Sequence, residues 1–172
     1  VFVTGTAWGP SAAFGAVSVS WPETNRQYFA RFDTNGTADL AVSFGGTNVW
    51  PWAAVADATG NVYVTGDFNG YASFGDKTIG AARYGGIGDA YYGQTFLAKF
   101  DRNGNSLWVR QAQSETPDSL VNVRDIHLAS NGVWICGFVN YYGNFGTNLA
   151  NRVYGPVTVV GSPFGYLYYY MG

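Results

Sequence analysis

Two short sequence pieces recur along the chain in a fixed order. Residues 61–68 (NVYVTGDF) are echoed by residues 1–8 (VFVTGTAW) and by residues 132–139 (GVWICGFV). Residues 95–109 (TFLAKFDRNGNSLWV) are echoed by residues 28–42 (YFARFDTNGTADLAV), and a remnant returns as YLYYYMG at residues 166–172. The glycines of the first piece, Gly5, Gly66 and Gly137, stand 61 and 71 residues apart. A repeat of this period constrains the fold more than any single motif, because one unit cannot bury its apolar face without its neighbours.

Each piece reads as a strand pair. Residues 53–57 (AAVAD) and 61–67 (NVYVTGD) are short runs rich in Val, Ala and Tyr around Ala-Thr-Gly, the pattern of a hairpin with glycine in a left-handed position; these are strands a and b. Residues 95–101 and 106–111 flank Arg-Asn-Gly-Asn and give strands c and d. In strand c, alternation sets Phe96, Ala98 and Phe100 inward and leaves Lys99 outward, with Arg31 in the matching place. Nothing has the 3.6-residue period of a helix. The expectation is an all-β chain of antiparallel four-stranded blades, as in a β-propeller. The count is ten strands, or about two and a half blades: b-c-d over residues 1–52, a full blade over 53–122, and a-b-c over 123–172.

The connectors from b to c are long. Each carries a Phe-Gly pair, Phe14-Gly15, Phe74-Gly75 and Phe145-Gly146, nine, eight and eight residues after the repeat glycine. That fixed spacing predicts an aromatic plug closing each loop onto its blade. Two and a half blades leave raw edges, which propellers remove by closing a ring. The expected partners are therefore the remainder of a longer polypeptide or other protein chains. The longer polypeptide is favoured, because both breaks fall inside blades.

Composition narrows the function classes. Only 12% of residues are charged while 18% are aromatic, and the net charge is -2 with no Lys/Arg run, so nucleic acid lacks its electrostatic footprint. No apolar stretch reaches the length needed to span a bilayer as a helix. The single cysteine, Cys136, excludes an internal disulfide and takes the repeat place of Thr4 and Thr65, as a small strand residue would. The single histidine, His127, sits in a strand between Ile126 and Leu128, too isolated for a triad or a histidine metal site. No catalytic residue and no metal ligand is assigned.

The turns Asp33-Thr-Asn35-Gly36 and Asp101-Arg-Asn103-Gly104 resemble calcium loops, yet Phe44 and Ala112 stand where an EF-hand needs its Glu. Turn chemistry accounts for them without a metal. No cofactor is expected, with surface calcium at these turns as the weaker reading.

The run NVYVTG, a Phe-Gly loop and then TFLAKFDRNGNSLWVRQA resembles the SBBP-type β-propeller repeat of secreted and cell-envelope bacterial proteins. The resemblance covers nearly the whole chain and is strongest over residues 57–112. It departs in the Tyr/Gly-rich loop at 83–94 and at Tyr168-Tyr169-Tyr170. It implies an extracellular or cell-envelope scaffold, non-enzymatic, and brings no catalytic residues.

Aromatics supply the candidate interaction surface. Tyr141, Tyr142, Tyr154, Tyr168, Trp50 and Trp52 cannot all be core, and exposed Tyr and Trp anchor protein interfaces or stack on sugars. Protein–protein assembly is the expected function. The alternative is a lectin-like propeller binding glycans. The b-to-c loops share little beyond Phe-Gly, which disfavours repeated sugar pockets.

Overall fold

A computed structural model of the chain describes residues 1–21, 26–46, 48–80, 94–114, 120–130, 132–140, 142–145, 157–160 and 166–171; residues 113–114, 120–121 and those from 138 onward are described by strand placement alone. The described chain is all-β, in antiparallel sheets, and none of these sheets closes on itself. No helix among the described residues is long and apolar enough to cross a membrane.

Three modules follow one another. The first holds β1 (Phe2–Thr6), β2 (Ser11–Phe14), β3 (Val17–Ser20), β4 (Gln27–Phe32) and β5 (Ala38–Phe44). The second holds β6 (Val49–Ala56), β7 (Val62–Phe68), β8 (Tyr71–Phe74), β9 (Lys77–Gly80), β10 (Gln94–Phe100) and β11 (Ser106–Ser114). The third holds β12 (Leu120–Ala129), β13 (Gly132–Asn140), β14 (Tyr142–Phe145), β15 (Val157–Val160) and β16 (Tyr166–Met171). The main strands pair in sequence order as β1-β4-β5, β6-β7-β10-β11 and β12-β13-β16.

The expected tally of ten strands is corrected to sixteen among the described residues. All ten are present, and each b-to-c connector adds a two-stranded hairpin: β2–β3, β8–β9 and β14–β15. In the first two, the glycine of the Phe-Gly pair opens a two-residue turn, with Gly15 and Gly75 at φ 65° and 64°, a left-handed conformation that costs a glycine little. Phe14 and Phe74 plug as expected, and the Phe145 side chain lies outside those described. Phe14 lies 5.0 Å from Tyr28 and 6.1 Å from Phe32, and Phe74 lies 4.9 Å from Phe96 and 5.5 Å from Phe44 of the preceding module.

The outward face expected for Lys99 and its neighbours is a second correction. Antiparallel sheets usually leave one face to water. Here every residue of β7, and every residue of β10 except Lys99, is buried. Val62, Val64, Phe96, Ala98 and Phe100 form one core with Phe29 and Phe44 of the first module. Tyr63 and Leu97 form another with Val123, Ile126 and Ile135 of the third. Lys99 sits at the rim of this second core, its Nζ 4.8 Å over the Tyr63 ring and 3.8 Å from Asp57. The sheets therefore stack face to face, and the middle one is covered on both sides by its own relatives.

Candidate functional site

Strand a and strand b pair through a bulge in both the second and the third module. Pro51 faces Gly66 and Ala53 faces Thr65, so Trp52 is the extra residue of β6; Val123 faces Gly137 and Asp125 faces Cys136, so Arg124 is the extra residue of β12. Pro51 has no N–H to give the ladder, which favours a break at that point. A bulge bends the strand and re-aims its extra side chain. It also drives the two backbones together over the repeat glycine. A Cβ on Gly66 would run into the Trp50 carbonyl and lie 2.7 Å from Pro51 Cα; one on Gly137 would run into the Asn122 carbonyl and lie 2.8 Å from Val123 Cα. The recurring Gly of VTG and ICG is thus set by the bulge opposite it.

The two bulged side chains converge on Asp67, the residue after Gly66. Trp52 Nε1 donates to Asp67 Oδ2 at 2.6 Å, Val123 N to Oδ1 at 3.2 Å and Thr95 Oγ1 to Oδ1 at 3.3 Å. The Arg124 guanidinium stands 3.8 Å from Oδ2 and 4.7 Å over the Trp52 ring, a cation–π contact. Asp67 is only 4% exposed. Burial pushes its carboxyl up to about 6, against the pull of Trp52, Val123 N, Arg124 and Thr95. The cluster joins three strands of the middle module, β6, β7 and β10, to β12 of the next. Chemically it is a clamp: one buried carboxylate fixing the register of two bulges.

Of the residues assigned from sequence, Trp50 and Trp52 are partly exposed, at 38% and 47%. Trp52 is already committed to Asp67 and Arg124. Tyr142 opens β14 opposite Val160, and Tyr168 of β16 lies opposite Cys136; both are placed by register alone. Tyr141 and Tyr154 lie outside the described residues. Trp21 is buried. Instead Trp8 at 88%, just before the β2–β3 hairpin, and Tyr71 at 78%, the first residue of β8, are the most exposed aromatics described. His127 is exposed on β12, opposite Trp134. Asp67 and Arg124 went unassigned. The available signals were a lone acid directly after the repeat glycine and the Arg124 of strand a, two residues before the repeat's Ile126.

The aspartate turns are alike in detail. In Asp33–Thr37, Asp57–Asn61 and Asp101–Asn105, the first Asp Oδ1 accepts the N–H groups two and four residues on, at 2.8 to 3.0 Å. Gly36, Gly60 and Gly104 take φ of 81°, 88° and 89°. For Asp57, burial pushes the carboxyl up but the hydrogen bonds from Thr59 and Asn61 outweigh it and hold it at about 2. These carboxylates face their own backbones, and among the described residues no three acidic, His or Cys side chains gather as a metal would need.

No protein-family model matches the chain, and the search of curated proteins finds no relative.

Proposed function

We propose that residues 1–172 are a sector of a β-propeller and serve as a non-catalytic scaffold for protein–protein assembly outside the cytoplasm. One observation carries the reading: β7 and β10 are buried on both faces between sheets of the same repeat, so the unit is built to stack in series. The meander order a-b-c-d, matched by the SBBP-type resemblance of residues 57–112, is that of a propeller blade. Trp8 and Tyr71 supply the interaction surface, since large, partly polar rings at the rim are what interfaces use as anchors.

A photo-crosslinking side chain at position 8 or 71, in cells that make the protein, tests this. The scaffold reading expects covalent protein adducts from both positions and digestion of the protein by protease added to intact cells. Adducts to polysaccharide alone would favour the lectin reading. No adduct, or protection of the protein behind an intact membrane, would contradict the scaffold.

A further inference from the structure

The inserted hairpins are latches between modules. β8 meets the end of β5: Gly45 N donates to Ser73 O at 2.6 Å and Ser73 N to Gly45 O at 3.0 Å. β14 meets the end of β11 in the same way, Gln113 opposite Asn144 and Ser114 opposite Gly143. Ser73 and Asn144 hold the same repeat place, one residue before the phenylalanine of Phe-Gly. The strand that follows β5 is β6, which lies along β7 across Gly66; the strand that follows β11 is β12, which lies along β13 across Gly137. One continuous strand d–strand a stretch therefore engages the next module twice, first at its hairpin and then at its strand b.

The first module has both receptors without such a stretch among the described residues. β1 pairs only with β4, and β2 only with β3. Val1 and Phe32 exchange both backbone bonds at 2.8 Å, so by antiparallel alternation Phe2, Thr4 and Thr6 turn their N–H and C=O away from β4. The three atoms nearest a Cβ on Gly5 all belong to the Tyr28 side chain, its hydroxyl at 3.2 Å, and none is backbone. Where strand a backbone lies closest over Gly66 and Gly137, the Tyr28 ring lies closest over Gly5. Ala13 of β2 holds the place of Ser73 and Asn144.

We propose that the outer edges of β1 and β2 together form a docking site for one more strand d–strand a stretch of this repeat, from outside residues 1–172. Its strand d bridges β2 at Ala13, and its strand a lies antiparallel along Phe2–Thr6 with a bulge opposite Gly5. A second copy of residues 1–172 does not fit the role, because its β5–β6 and β11–β12 are engaged by its own β8, β7, β14 and β13. The inference deepens the propeller reading by naming what binds this end; main-chain pairing along an exposed edge supplies the affinity.

The test prefixes a copy of residues 43–61 directly to Val1, so that the Asp57–Asn61 turn leads into β1 as it leads into β7. Hydrogen exchange at the Phe2, Thr4 and Thr6 amides is expected to slow by about a hundredfold or more, and the melting temperature to rise by several degrees. Gly5→Ala is expected to abolish both gains in the extended chain while shifting the original chain by no more than about 2 °C. Unchanged exchange on extension, or gains that survive Gly5→Ala, would overturn the proposal. So would protection of the same amides by self-association of the original chain, which would make a second copy the occupant. The crosslinking at positions 8 and 71 is independent of this edge, so either reading can fail without the other.

Discussion

Asp67 is where one side chain matters most. Its folded carboxyl titrates at about 6, above the ordinary value of 3.8, so the folded state holds a proton that the unfolded state has released across that interval. Stability contributed by the protonated form is present below 3.8 and is lost as pH rises through about 6, an amount on the order of 3 kcal/mol from roughly two pH units. Asp57, held at about 2, acts with the opposite sign: its contribution is present above 3.8 and is lost as pH falls toward 2. The two windows do not overlap. Urea melts at pH 4.5 and 7.5 should therefore show lower stability at 7.5, and Asp67→Asn should remove most of that difference. Trp52→Phe keeps a ring under Arg124 but deletes the N–H that holds the carboxylate, so the Asp67 carboxyl should titrate higher still, as read by carboxylate NMR. Gly66→Ala forces a methyl into the Trp50 carbonyl and should cost about 3 kcal/mol or more, whereas Gly5→Ala should stay within about 1 kcal/mol; paired denaturant melts decide. The sequence marks these glycines as a set, since they recur. It does not say why, because the reason lies in a bulge on another strand whose extra residue is Trp in one module and Arg in the next.

At the scale of elements, the hairpin latches explain what the Phe-Gly pairs do. Phe74 is fully buried between Phe44 of the preceding module and Phe96 of its own, so it ties two sheets together. Phe74→Ala should cost about 3 to 5 kcal/mol and speed hydrogen exchange at Gly45 and Ser73, the bridge it supports. Phe14, whose hairpin has no such strand to latch onto, should cost less by the same measurement. The main strands were legible because Val, Tyr and Phe alternate within them and Asp-x-x-Gly marks their turns. The inserted hairpins were not. SAAF and YASF are short and rich in Ser and Ala, and a two-residue turn opening on glycine reads as loop when each arm holds only four residues.

At the scale of the molecule, the repeat order and each unit's need for neighbours were legible, but which residues of the second face those neighbours cover was not. Strand alternation suggested one buried face per sheet, because a single strand carries no sign of what lies on its far side. Leu97 and Tyr63 look like surface positions by period; they are core because a like module covers them. Arg31 and Lys99, matching cations of strand c, show the consequence. Arg31 donates to the Arg102 carbonyl of the next module at 2.8 Å, while Lys99 stands over Tyr63 of its own module at the rim of the second core.

The central claim is that this chain is one sector in a series of like modules. Electron cryomicroscopy of the native particle that contains residues 1–172 tests it most directly. The account predicts a ring of radial sheets in which the β1 edge pairs with a further strand across Gly5. A separate three-sheet body, with β1 and β2 facing solvent in the native particle, would contradict it.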